Sequence, residues 1–236
     1  MDLRENIARV RSGIDKAARA AGRDPREITL VAATKTQTSD TIRAAIAAGV
    51  TVCGENRVQE LTAHLADGAY AGAELHFIGH LQTNKVKYIV GKAALIHSVS
   101  SEKLLLAIDA QADKLGVVQD ILLEINLAGE ESKSGFAPGD ALSAAGLCAR
   151  LAHVRLRGLM CIPPAAEKPG DNFSHFKNLT RLAVDIRRKI EDNSIDMGIL
   201  SMGMSGDYPD AIAAGATHIR VGTALFGSRP PMSTHP

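Results

Sequence analysis

The stretch ITLVAATKTQ, residues 28–37, decides how the chain folds. Leu30, Val31, Ala32 and Ala33 form a short apolar run with no helical periodicity, and it ends on Thr34 and Lys35. A helical pattern begins near Ser39 and stops at Gly49. A run this short and this apolar reads as a buried strand followed by a helix. The lysine at its end either snorkels to an edge or is placed there for its amine.

The same unit recurs on both sides of this stretch. VTVCG precedes a helix beginning near Asn56, ELHFIGH leads to TNKVKYIVG, and ALIHSV leads to a long helix from Ser101 to Gly116. QDILLEINL is followed by DALSAAGLCARLA, and VRLRGLMCI by Phe176, Leu179, Ala183, Ile186 and Ile190 on one helical face. GILSMG and THIRVG close the series, with YPDAIAAG between them and TALFG after. Alternating strands and helices imply parallel pairing with right-handed crossovers. Eight units in 236 residues predict a single (β/α)8 TIM-type barrel over 1–236, with a doubly wound open sheet as the alternative. Ile7, Val10, Ile14 and Ala17 predict an extra amphipathic N-terminal helix ending at Gly22. Residues 228–236, SRPPMSTHP, read as a disordered tail.

A formal net charge of +1 gives no uniform field for a polyanion, so neither nucleic acid nor an anionic membrane is expected as a partner. No apolar run is long enough to span a bilayer, and the N-terminus has no signal-peptide core. Cys53, Cys148 and Cys161 are scattered among apolar neighbours and read as reduced core thiols. A cytoplasmic location is the expectation.

Walker-type GxxxxGK[ST] and GxGxxG loops are both missing. His76 and His80 are four apart, but a strand ending in a turn would not keep both on one face, so packing is the better reading than a metal site. LSMGMSGD and HIRVGTALFG fall where strands 7 and 8 turn into their helices, a frequent anion cradle in such barrels. Glycines there let backbone N–H groups approach, and Ser201, Ser205 and Thr223 offer hydroxyls. Ordinary tight turns with serine caps would read the same way. Barrel closure sets strand 8 beside strand 1, bringing Arg220 near Lys35. A partly dry mouth and a neighbouring cation favour the neutral, nucleophilic form of an amine. Amine, anion cradle and arginine together suit pyridoxal 5′-phosphate, with Arg220 toward the ring nitrogen. A plain ion pair of Arg220 with Glu55 or Asp207 is the competing reading.

Several motifs then carry a family resemblance: LVAATKT, GENRVQE, HFIGHLQTNK, INLAGEESKSGF, RGLMCIPP, LSMGMSGDYPDAI and HIRVGTALFG. Together they run through nearly the whole chain, which resembles the pyridoxal phosphate homeostasis proteins. Their barrel is similar to the N-terminal domain of alanine racemase. The resemblance implies Lys35 as the residue carrying the cofactor as an internal aldimine. It also implies Ser201, Gly222 and Thr223 at the phosphate and Arg220 at the pyridine nitrogen. Met204 and Ser205 are implied as neighbours, with Asn56 and His80 at the mouth close to the ring. The function expected is holding the cofactor and passing it on, with cofactor-dependent apo-enzymes as possible acceptors and without robust catalysis.

A pyridoxal-phosphate racemase is the alternative. It needs a base on each face of the ring, and none of Tyr70, Tyr88 and Tyr208 sits in a motif that suggests one, although Tyr208 lies near the phosphate loops. A Schiff-base aldolase would usually carry its lysine on a central strand, and VRLRGLMCI holds none. Alanine racemase dimerises through a domain this chain lacks, so a monomer is expected. Lys133 could be a second docking amine and Lys85 an anion contact at a helix start, though solvated surface charges explain both more simply.

Overall fold

The computed structural model describes residues 2–130, 134–190 and 195–227. Eight parallel strands close into a barrel in chain order: β1 (Thr29–Ala33), β2 (Val52–Glu55), β3 (Glu74–Phe77), β4 (Leu95–Val99), β5 (Gln119–Glu124), β6 (Val154–Met160), β7 (Ile195–Ser201) and β8 (His218–Val221). The TIM-type reading holds, and the open doubly wound sheet is excluded by the β1–β8 pairing. In that pairing Leu30 lies opposite Ile219, Val31 opposite Arg220 and Ala32 opposite Val221.

The helices are α1 (Leu3–Ala20), α2 (Ser39–Ala47), α3 (Val58–Ala66), α4 (Glu102–Leu115), α5 (Ala141–Cys148), α6 (Phe173–Lys189), α7 (Tyr208–Ala214) and α8 (Thr223–Phe226). The extra N-terminal helix starts where the Asp2 carboxylate accepts the Arg4 N–H. Its apolar face of Ile7, Val10 and Ile14 is buried as α1 packs on α7 and α8. Each such side chain contributes about 1.5–3 kcal/mol of burial. The buried Asn6 amide donates to the Leu225 carbonyl at 2.8 Å and fastens α1 to α8, beside the last barrel strand.

The third unit departs from the expected helix. TNKVKYIVG forms a 3₁₀ helix over Thr83–Tyr88. Val86 and Ile89, three apart, are both buried, and the Ile89 N–H reaches the Val86 carbonyl at 3.0 Å. The tighter spiral puts residues three apart on one line, so it buries this pair while Lys85 and Lys87 stay outside.

Barrel strands are buried on both sides, and here the two sides differ. The outer faces join the helices in one continuous apolar core. Inside, Val31, Ala33, Val52 and Ile78 form one apolar cluster, and Leu95, Leu122 and Met160 with Ile199 form another. Between these clusters lie His76, His97, His218, Ser201 and Arg220. His97 and Ser201 are fully buried. The three cysteines are buried and unpaired, and burial pushes each thiol up to about 12, as reduced core residues require.

Candidate functional site

The ends of β1 and β2 are tied together by a carboxylate. Glu55 is fully buried and accepts the N–H groups of Asn56 at 2.7 Å and Arg57 at 3.3 Å. The hydroxyls of Thr34 and Tyr70 reach its other oxygen at 3.0 and 3.4 Å. Burial raises the carboxyl above its ordinary range, and these hydrogen bonds oppose that rise. The clamp fixes the backbone on either side of Lys35 and Asn56.

Immediately after Lys35 the chain reverses through Thr36, whose φ of +66° is the only left-handed value at a non-glycine residue among the described residues. A β-branched residue is strained there by about 1–3 kcal/mol. The strain is held by the Thr36 N–H donating to Glu60 at 2.9 Å and by the Gln37 N–H donating to the Thr34 carbonyl at 3.0 Å. Lys35 is thereby set at the lip of the barrel mouth.

On the facing wall, Asp207 is buried and accepts the Met204 N–H at 2.7 Å and the Asn172 amide at 2.8 Å. This rigidifies the LSMGMSGD turn. Gly203 within it has φ +89°, and a Cβ there would come within 2.5 Å of the Ala211 Cβ, so the turn lies flat on α7. The Ser205 hydroxyl accepts the Ala224 N–H at 3.2 Å and joins this turn to the start of α8.

These elements enclose a cavity of about 360 Å³, within the ordinary range of small-molecule sites. Lys35, Asn56, Met204, Ser205, Arg220, Gly222 and Thr223 all line it. A second cavity of about 250 Å³ shares Asn56, Ile78 and Ile162 with the first and adds His80, Ser98 and Glu124. Burial pushes the Glu124 carboxyl up, and Arg220 pulls it back. Two buried polar atoms on these walls, Asn56 Oδ1 and Ser98 Oγ, have no hydrogen-bond partner among the described residues.

Of the nine residues expected at the site, seven share the first cavity. His80 lies on the second, exposed and hydrogen-bonded to Ser134 at 3.1 Å. Ser201 is the correction: it lines neither cavity, because its side chain points into the barrel. Its Oγ lies 2.6 Å from Arg220 Nη1 and 2.8 Å from His97 Nδ1. The carboxylate partner proposed for Arg220 is also absent among the described residues. Its second contact is Nη2 to the Cys161 carbonyl at 2.9 Å, with Glu124 and Asp207 acting only through space. His76 is the packed histidine expected. Lys85 stands over the Tyr88 ring at 5.8 Å. Lys133 lies outside the described residues.

The tyrosines are elsewhere. Tyr70 is spent on Glu55, and Tyr88 is exposed on the 3₁₀ helix. The Tyr208 hydroxyl sits over Gly13 of α1, where a Cβ would meet it at 2.1 Å.

The family model for the alanine racemase N-terminal domain matches residues 3–230. The pyridoxal phosphate homeostasis protein of Aquifex aeolicus (strain VF5) is 41% identical over 229 residues, covering 97% of this chain and 99% of the relative. The chain belongs to the pyridoxal phosphate homeostasis protein family. The member from Pseudomonas aeruginosa PAO1 is 40% identical, with 96% of both chains covered. Among solved structures, PipY of Synechococcus elongatus PCC7942 with PLP bound matches with a TM-score of 0.83 at 33% identity, covering 96% of this chain and all of that one.

The residues that hold the mouth of this barrel in shape were harder to see in the sequence than those that line it. Glu55 was legible only as a candidate ion-pair partner of Arg220, and nothing in the sequence marks Glu60 as a clamp or Thr36 as strained. His97 stands beside Ser98 in an otherwise apolar strand with nothing to mark it as inward, and the Cys161 carbonyl is invisible to any side-chain pattern.

Proposed function

We propose that this protein binds pyridoxal 5′-phosphate at the barrel mouth through Lys35, protects it, and releases it to acceptors such as cofactor-dependent apo-enzymes. The observation that carries this reading is that Lys35 lines one cavity with Ser205, Arg220, Gly222 and Thr223. The unpartnered Asn56 Oδ1 fits it too, since a buried amide without a partner is available to a polar ligand. When bound, the cofactor supplies an aldehyde that a primary amine can hold reversibly. The hydroxyls of Ser205 and Thr223, with the backbone at Gly222, are suited to the phosphate. Arg220 presents a permanent donor toward the ring nitrogen, which disfavours protonation there and so weakens the ring as an electron sink. That favours storage over broad amino-acid chemistry.

Reversal of stereochemistry needs a proton carrier opposite Lys35. Among the described residues, the other titratable groups at the two cavities are Arg220, His80 and Glu124, the last two on the second cavity. Carrier function is therefore the better supported reading. The test is titration of the cofactor into wild type and Lys35→Ala, following visible absorption. Wild type should turn yellow and the variant should not. A wild type that takes up no cofactor ends the proposal, and rapid α-proton exchange of amino acids in heavy water would replace it with the racemase.

A further inference from the structure

Five side chains from four strands form an unbroken line through the barrel. Arg220 Nη1 lies 2.6 Å from Ser201 Oγ, which lies 2.8 Å from His97 Nδ1. His97 Nε2 lies 2.9 Å from His76 Nδ1, and His76 Nε2 lies 2.7 Å from Glu74 Oε1. Arg220 is at the cavity end of the barrel. Glu74 opens β3 at the opposite rim, with its side chain 56% exposed.

The two ends of the line fix its direction. A guanidinium can only donate, so Ser201 Oγ accepts from Arg220; a carboxylate can only accept, so His76 carries its proton on Nε2 and donates to Glu74. A neutral His76 is then bare at Nδ1 and accepts from His97 Nε2–H. A neutral His97 is bare at Nδ1 in turn and accepts the Ser201 hydroxyl hydrogen. All donors point one way, from the buried cation to the exposed anion, and both histidines are neutral. Burial favours the neutral form of each ring; His76, His218 and Arg220 add to this at His97, while Glu74 opposes it at His76 without reversing it. The aligned dipoles place negative ends toward Arg220, which has no carboxylate in contact among the described residues, and bonds in such a series polarise one another.

We propose that Ser201, His97, His76 and Glu74 are positioning residues for Arg220. They form a one-way hydrogen-bond chain that fixes the guanidinium from the far rim of the barrel. Ser201 and the Cys161 carbonyl occupy one N–H on each terminal nitrogen, and the fork is held with its remaining donors available to the cavity. The consequence for ligand binding rests on the cofactor reading above; the direction of the chain does not.

Histidine side-chain ¹⁵N NMR on the protein without cofactor, at neutral pH, tests the direction. His97 and His76 should both appear as neutral Nε2–H tautomers. A proton on Nδ1 of either ring, or on both nitrogens, overturns the chain. Glu74→Ala and Glu74→Gln test the positioning role, because an exposed rim residue with a purely local role would leave the cavity unchanged. Glu74→Ala should weaken pyridoxal phosphate uptake about 3- to 10-fold, the range of modest long-range coupling. Glu74→Gln, which still offers an acceptor oxygen, should stay closer to wild type. Uptake by Glu74→Ala equal to wild type overturns the positioning role. If wild type takes up no cofactor while the tautomers are as stated, the cofactor reading fails and the chain remains.

Discussion

Gly79→Ala is the substitution that most sharply tests how Asn56 is brought to the mouth. A Cβ at residue 79 would stand 2.0 Å from the Asn56 carbonyl oxygen and 2.6 Å from its carbonyl carbon and Cα. Ordinary contact begins near 3.4 Å, so the two backbones must separate by about 1.4 Å. Neither can yield easily, since the Asn56 N–H is bonded to Glu55 at 2.7 Å and the Ile78 N–H to the Glu55 carbonyl at 2.9 Å. Forced separation of this kind costs about 2 kcal/mol. In a chain of this size that lowers the melting temperature by about 4–8 °C. Because Asn56 lines both cavities, cofactor uptake should weaken as well. Thermal unfolding by circular dichroism, paired with cofactor titration, reads both effects. Gly146→Ala is the control: it lies within α5, a Cβ there meets nothing within 4 Å, and helix propensity favours alanine by about 0.5–1 kcal/mol. A Gly79→Ala protein as stable as wild type and equally able to take up cofactor would refute the close-approach argument.

Two further outcomes follow from the same structure. Thr36→Asn places a residue that tolerates left-handed backbone at φ +66°, and urea unfolding should show a gain of about 0.5–1 kcal/mol; a loss would mean that the threonine is not strained. Burial lowers the pKa of His76, His97 and His218, the last to about 3, so their stabilising neutral state is complete above pH ~6.5 and is lost as the pH falls toward the folded values. With its folded value at about 3, the His218 ring costs about 2 kcal/mol at pH 5, whereas Glu55 and Glu124, raised by burial, act in the opposite direction. His218→Met should therefore remove about 2 kcal/mol of the acid-induced loss between pH ~7.5 and ~5. An unchanged pH profile would show that the ring is protonated in the fold.

The alternation of apolar runs and helical patterns was enough to read the barrel, because each strand is short, largely apolar and followed by a helical segment. Lys35 was legible for the same reason: a lysine closing such a run is out of place unless it has work at the mouth. The sequence did not separate the two faces of the strands. In a parallel barrel both faces are apolar, so His76, His97 and Ser201 carry no mark of pointing inward. Ser201 ends β7 and Ser205 lies four residues on in the turn, and only the fold shows that one serves Arg220 and the other the cavity. TNKVKYIVG looked helical because Val86 and Ile89 suit an α-helix and a 3₁₀ helix alike.

Borohydride reduction of the protein loaded with pyridoxal phosphate, followed by peptide mapping, addresses the main claim most directly. The label should fall on Lys35, giving a tryptic peptide spanning 27–43 that is left uncut at that lysine. A label confined to another lysine, or no label on a protein that still retains the cofactor, would contradict the assignment of Lys35 as its anchor.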